Sequence, residues 1–374
     1  MDSTTRVASE LARIQTFFPI LPVLGDGWAA RRPWDGHTVA LHLHLTTLTA
    51  SLVRELVLGG GEWILSAANP ATTDQGVVAF LRQLGVTVHS TGGRENHLDE
   101  TLAAEPTLFA DVGWQLGSYF VTRGHHPARG GVEITRSGVS QLRATPVPFP
   151  VMNINDGRLK PAVENRHGVG EALWQAFSLL TGKHLAGHRV SVIGYGPVGA
   201  GVAAYARAGG AVVEVIEPDP VRRLVAHYDG YVTPPEPQMI RRAQVIVTAT
   251  GTRHALSVAT LTDARDGVVV INAGHGSDEI DIEGLQKVAE AVDVIGPRVV
   301  RYRLKGGRQV VVLGAGNPLN IVLNSGSQEP VLLHFAVLGL ALEWLTKHTA
   351  PAGELTLPPE IEDQAALAAL RVLG

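Results

Sequence analysis

Apolar residues along the first 112 positions come in short runs that alternate between two spacings. The segments HTVALHLHL (37–45), EWILSA (62–67), VTVHST (86–91) and PTLFADV (106–112) read as strands. Between them TTLTASLVRELVLGG (46–60), TTDQGVVAFLRQLG (72–85) and NHLDETLAA (96–104) carry apolar residues at helical spacing. Residues 124–160 are rich in Gly, Pro and Arg with only short apolar runs, which predicts loops and a connector. From Gly187 the rhythm restarts, with strands expected near 189–194, 212–217, 244–248, 268–272 and 292–295. After Thr349 a proline-rich break precedes one short amphipathic helix. The pattern predicts an α/β chain of two doubly wound, Rossmann-like domains with a short C-terminal tail.

The restart carries the first chemical signal. Residues 189–217, RVSVIGYGPVGAGVAAYARAGGAVVEVIE, read as strand, glycine turn, helix and a second strand that ends in an acid. Gly194, Gly196 and Gly199 fit G-x-G-x-x-G: the first permits a tight turn, the second lets backbone approach a pyrophosphate, and the third lets helix and strand pack closely. The helix N-terminus, with Val198 in its first turn, then faces the phosphates. Glu217 stands where a carboxylate accepts hydrogen bonds from the adenosine ribose and repels a 2′-phosphate, which favours NAD over NADP. Arg222 and Arg223 lie near enough to weaken that preference.

Composition narrows the class. A 374-residue chain with 45% hydrophobic and 18% charged residues can bury large cores, and a formal net charge of −4 with no long basic run argues against nucleic acid as the main partner. Without cysteine there are no disulfides, thiolate nucleophiles or cysteine zinc sites, so the chemistry falls to His, Lys, Asp and Glu. The N-terminus lacks the apolar stretch of a signal peptide, and the most apolar run, Val331–Leu345, is interrupted by His334 and Glu343 and is too short to span a bilayer. A cytoplasmic protein with no membrane partner is expected. His42 and His44 form an H-x-H pair on one strand face, but no further ligand set accompanies them, so no metal is expected.

Five segments outside or around the nucleotide motif resemble the adenosylhomocysteinase (S-adenosylhomocysteine hydrolase) family: LHLTTLTASLVREL (43–56), NINDGRLKPAVENRHG (153–168), GYGPVGAG (194–201), NAGHGSDEID (272–281) and RYRLKGGRQVVVLGAGNPLN (301–320). The resemblance implies a substrate domain made of residues 1–157 with 325–349, an NAD-binding domain of 158–324, a tail of 350–374, NAD held between the domains, and a homo-oligomer, tetramer or dimer. It implies transient oxidation of a ribose 3′-hydroxyl, which acidifies the C4′ hydrogen and lets the 5′ substituent leave. Lys160 matches the family's base for the 3′-hydroxyl proton, and Glu164 and Asn165 its acidic and amide neighbours. Asp111 matches the acid near C4′ and C5′, His44 and His275 match the histidines that handle leaving group and water, and Thr46 matches a ribose contact. Thr248, Thr250, Gly251, Asn272, Ala273, Gly274 and Asn320 are added to the cofactor contacts, and Thr135 to those of the substrate.

The departures from the family pattern gather at one end of the implied pocket. Leu48 replaces a glutamate that reads the adenine amino group, Ile134 replaces a second glutamate, and Trp114 falls where an acidic residue would hold the amino-acid end of homocysteine. An amino-acid zwitterion needs charged partners to offset its desolvation, and Trp offers mostly an apolar face. The C-terminus also lacks the family's Lys and Tyr tail, which closes a neighbour's NAD site. The leading expectation is therefore a nucleoside-like small molecule that loses water across C4′–C5′. An S-adenosylhomocysteine hydrolase with altered contacts is the runner-up, and a silent NAD-binding regulator and an ordinary dehydrogenase stand behind it.

Overall fold

The computed structural model describes residues 2–69, 72–91, 93–233, 236–274, 277–323 and 325–374. It divides into two compact units, Met1–Lys160 with Gln328–Gly374, and Pro161–Ser327. Along the chain the strands are β1 Thr38–Leu43, β2 Glu62–Ala67, β3 Thr87–His89, β4 Leu108–Asp111, β5 Gly130–Glu133 and β6 Pro150–Asn153 in the first unit. The second holds β7 Arg189–Ile193, β8 Val212–Ile216, β9 Val245–Thr248, β10 Val268–Asn272, β11 Ala289–Gly296, β12 Val299–Leu304 and β13 Gln309–Leu313, and the chain returns to the first for β14 Gly353–Thr356.

In the first unit the sheet runs β14-β6-β5-β4-β1-β2-β3 and every pairing is parallel. Its middle strands are buried on both faces, which is why β1 reads as a near-continuous apolar run: Val39, Ala40 and Leu41 are fully covered. The order reverses direction at β1, which lies between β2 and β4, so a crevice opens beyond the carboxyl ends of β1 and β4. In the second unit the order is β11-β12-β13-β10-β9-β7-β8, parallel from β8 to β13 and antiparallel through β12 and β11. There the reversal falls between β7 and β9.

Two expectations give way. Residues 124–160 are not a connector: β5, the helix Arg136–Ala144 and β6 extend the first sheet. The strands are only GGVE and PVMN, whose apolar runs are broken up by glycines and a proline, and the glycines of the first have a packing reason. A Cβ on Gly131 would overlap the Phe109 ring, so the bare backbone makes room for a core aromatic.

Nor is 350–374 a tail apart from the domains. β14 pairs with β6, and the helix Pro359–Leu373 buries Ile361, Ala365, Ala368 and Ala369. Its Glu362 accepts from the Leu159 amide at 2.7 Å and from Arg158 Nε at 3.1 Å. The unit boundaries accordingly fall at Lys160 and Gln328 rather than at 157 and 325. The helix Glu329–Lys347 is long and apolar enough to cross a membrane by length and composition, but 72% of its most apolar stretch is buried inside the protein. Its buried Glu343 accepts from Trp28 Nε1, Arg31 and Lys347, which suits a core helix.

Candidate functional site

In the second unit the three glycines take the tasks their spacing predicts. Gly194 sits at φ +100, a conformation that L side chains avoid, and turns the chain out of β7. A Cβ on Gly199 would overlap the carbonyl of Gly194, so glycine there sets the closeness of helix and turn, whereas a Cβ on Gly196 would meet nothing within 4 Å. That open face fronts the N-terminus of the helix Pro197–Ala208, which no side chain caps and whose first turn holds Val198 and Gly199. Anion-binding amides with space before them are the cradle a pyrophosphate needs.

Glu217 lies just past β8, its carboxylate accepting from the Tyr195 amide at 2.6 Å and the Asp219 amide at 2.9 Å. The acid is thereby tied to the glycine turn itself. Tyr195 is fixed in its turn by its hydroxyl, which donates to Asp229 at 2.6 Å; burial and that carboxylate push the phenol well above its ordinary range.

The remaining cofactor candidates gather at the ends of β9, β10 and β13. Thr248 is fully buried and its Oγ1 donates to Asn272 Oδ1 at 3.2 Å. Asn272 accepts from the Gly274 amide at 2.7 Å and donates to the Gly316 carbonyl at 2.9 Å, and the Ala273 amide donates to the Thr248 carbonyl at 2.8 Å. Thr248 and Asn272 therefore brace the turn that Ala273 and Gly274 present. Thr250 and Gly251 are held by a residue the spacing did not single out. Glu279, fully buried, accepts from the Thr250 amide and hydroxyl at 2.9 Å each and from the Gly251 amide at 2.8 Å. A Cβ on Gly274 would collide with it. Its signal was its place among the three acids inside NAGHGSDEID, beside Asp278 and the helix cap Asp281. Asn320, on the short helix Leu319–Leu323, has a buried Oδ1 with no partner among the described residues, an acceptor suited to a carboxamide N–H. Cradle, acid and orphaned acceptor fit a nicotinamide dinucleotide. His275 lies outside the described residues.

In the first unit the crevice at the ends of β1 and β4 collects a different set. His44 follows β1, half-buried, with Nδ1 2.7 Å from Thr72 Oγ1. Thr46 caps the helix Thr47–Leu56. Leu48 is buried within that helix, as is Ile134 beyond β5.

Three expected site residues have other work. Asp111 is fully buried; its carboxylate accepts from the Val112 and Gly117 amides at 2.8 Å each. It lies opposite Glu133 on β5, and burial together with that like charge pushes its carboxyl well above the usual range; burial likewise raises Glu133. Glu133 accepts from the amides of Gly113 (3.2 Å), Trp114 (2.9 Å) and Thr135 (2.8 Å). The two acids thus brace the loop after β4 from beneath. Trp114 is 2% exposed at φ +57 and packs against Phe109 rather than facing a pocket. Thr135 caps the helix Arg136–Ala144 and donates to Glu133. What the loop offers in place of Trp114 is Gln115, whose Oε1 lies 3.1 Å from Nε2 of buried His42.

Lys160, Glu164 and Asn165 fall in one rare element, a π-helical segment Lys160–Gly168. Its i→i+5 bonding puts Asn165 one turn beyond Lys160, with Glu164 beside it, so the three share a face. π-Helical turns are frequent at functional sites. Among the described residues no cluster of His, Asp or Glu could hold a metal ion.

The chain is similar to known proteins along nearly its whole length. The S-adenosyl-L-homocysteine hydrolase NAD-binding domain family matches residues 165–326. An adenosylhomocysteinase of Pyrobaculum aerophilum is 34% identical over 95% of this chain and 89% of its own length. An S-inosyl-L-homocysteine hydrolase of Methanopyrus kandleri is 32% identical over 95% of this chain and 88% of its own. Among solved structures, a transhydrogenase from Sinorhizobium meliloti is similar at TM-score 0.45 and 13% identity, covering 84% of this chain and 96% of that one. With a third of its residues shared along nearly its whole length, and with a dinucleotide cradle built on the glycines that its sequence announces, this chain belongs to the adenosylhomocysteinase family and takes NAD as its cofactor.

Proposed function

We propose that the enzyme removes water across C4′–C5′ of a nucleoside, leaving a 4′,5′-alkene, with NAD returned to its starting state. The observation that carries this reading is the character of the strand ends in the first unit. Among the described residues following β1, β2 and β4, from His44 to Leu48, Ala67 to Asn69 and Asp111 to Gln115, the one formally charged side chain is Asp111, and backbone amides take up its carboxylate. A pocket end without a carboxylate suits a neutral leaving group better than the zwitterionic end of an amino acid.

When bound, NAD supplies a reversible hydride acceptor at ribose C3′. Lys160 accepts the 3′-hydroxyl proton as hydride departs and gives it back at the end, with Glu164 and Asn165 holding that hydroxyl from the same helical face. Once C3′ is a carbonyl, the C4′ hydrogen is acidic; His44 takes that proton and delivers it to the departing 5′-oxygen, so the C4′–C5′ alkene forms as the oxygen leaves as water, and the hydride then returns to C3′. The cradle for NAD is Gly194, Gly196, Val198 and Gly199 with Glu217 at the ribose and Asn320 at the carboxamide.

A second reading, hydrolysis of S-adenosylhomocysteine, rests on the relatives that carry that name at 34% and 32% identity. Mass spectrometry separates the two. NAD-loaded protein incubated with free nucleosides is expected to yield a product lighter by one water; release of adenosine and homocysteine from S-adenosylhomocysteine, with free nucleosides untouched, overturns the proposal.

A further inference from the structure

Four backbone amides of the loop after β4 and of the first turn of the helix that follows, those of Val112, Gly113, Trp114 and Gly117, end on the buried carboxylates of Asp111 and Glu133. Trp114 is locked into the core beside Phe109. The loop is therefore braced throughout, and its one polar side chain is Gln115. Gln115 opens the helix Gln115–Arg123 and reaches from β4 across to β1, where its Oε1 meets His42 Nε2 at 3.1 Å. It thus lies over the reversal of strand order, the place where ligands bind in open α/β sheets.

His42 is fully buried and held on its other side, with Nδ1 2.7 Å from Ser66 Oγ. With the carboxamide oxygen toward His42 and the imidazole neutral, Ser66 donates to Nδ1 and the Nε2 hydrogen goes to Gln115 Oε1. The carboxamide is thereby turned so that its Nε2 hydrogens are the donors presented to the crevice. A carboxylate in place of Gln115 could only accept; this carboxamide donates without carrying charge.

We infer that Gln115 is the specificity-determining donor to the 5′-oxygen of the substrate and that His42, steadied by Ser66, is its positioning residue. The inference rests on the nucleoside reading above and deepens it, assigning to the relay Ser66–His42–Gln115 the choice of a neutral oxygen at C5′. No resemblance singled out these residues, and the preceding chemistry makes no use of them.

The test is a binding ratio. NAD-loaded Lys160→Ala protein, in which turnover is suppressed, is titrated with adenosine and with 5′-deoxyadenosine, and with the corresponding inosine pair. The 5′-hydroxyl compounds are expected to bind about tenfold more tightly, the scale of one satisfied hydrogen bond. Adding Gln115→Leu should bring the pair to within about twofold by removing that bond, with NAD content and melting temperature unchanged. Adding His42→Phe should narrow the ratio in the same way, whereas a purely structural role would weaken both ligands together and leave the ratio intact. Equal affinity for hydroxyl and deoxy compounds before Gln115 is changed overturns the inference while leaving the nucleoside reading in place, as does a tenfold ratio that survives Gln115→Leu. A ratio that survives His42→Phe removes the positioning role. Failure of every nucleoside to bind overturns the substrate class itself, and the inference with it.

Discussion

Gly196 and Gly199 stand three residues apart in one motif and answer to different forces, which makes them separable by mutation. A methyl group at position 196 enters open space, so Gly196→Ala is expected to fold with stability changed by no more than about 0.5 kcal/mol while losing NAD affinity by over ~10-fold. A methyl group at 199 strikes the Gly194 carbonyl, so Gly199→Ala should lose about 1–3 kcal/mol of stability. Thermal melts beside NAD titrations distinguish the two. Lys160→Ala should lower kcat by roughly 10²–10⁴ with NAD content retained, as expected for a proton-transfer group.

His42 makes a pH prediction at the same scale. Burial depresses it to about 4 from an ordinary 6.5, with neighbouring Arg94, His97 and His44 adding to the depression and the Gln115 contact opposing it. Between those values the unfolded chain binds more protons than the folded one, so His42's contribution is complete above pH 6.5. It declines by up to about 1.4 kcal/mol for each pH unit below, until about 4. Asp111 and Glu133 are raised and run the opposite way, their folded forms gaining protons as pH falls. The difference in denaturant stability between wild type and His42→Asn isolates the histidine; a difference flat across this range would refute the assignment.

At the scale of elements, β14 and the helix Pro359–Leu373 finish the first unit's sheet and core, though they follow a proline-rich break that reads as the start of a tail. Removing residues after Thr349 uncovers β6 as an edge and strips the buried faces of Ile361 and Ala365. The truncated protein is expected to melt at least about 5 °C lower while still binding NAD, because every dinucleotide contact described above lies in the other unit. A melt unchanged by the truncation would contradict the packing. The π-helical segment Lys160–Gly168 is the element whose form no propensity announced: KPAVENRHG shows the matching side chains, and only the backbone shows why they share a face.

Over the whole molecule, the second unit leaves an apolar stripe uncovered. Val221, Leu224, Val225 and Tyr228 on the helix Pro220–Tyr228 are 69%, 54%, 48% and 82% exposed, at the i, i+3, i+4, i+7 spacing of one face. We propose that this stripe takes part in a homo-oligomer. Light scattering should find a dimer or tetramer, and Leu224→Glu with Tyr228→Glu should shift it to a smaller species; a wild-type monomer would refute this.

Much of the fold was legible because parallel strands buried on both faces must be apolar runs, and helices between them must show one apolar face. All five strands expected after Gly187 stand within a few residues of their places, and the dinucleotide turn could be read because pyrophosphate, backbone and helix packing each demand a glycine at a set spacing. GGVE and PVMN escaped because glycines and a proline break up their apolar runs, whereas VIVT, equally short, is apolar enough to read; VVRYRL and QVVVL were not expected either. Residue types at matching positions likewise named the chemistry but not who performs it. Which of Asp111, Trp114 and Gln115 turns into the protein depends on the way each side chain leaves the backbone, and that direction is set by amides seeking buried carboxylates and by a left-handed turn at Trp114. The sequence by itself determined the fold class and the cofactor, because local periodicity and glycine spacing encode them, and pointed to the family through the motifs it shares with it. The tertiary structure alone decided which polar groups are taken up as braces, because burial and hydrogen-bond pairing are settled by contacts between segments far apart in the chain.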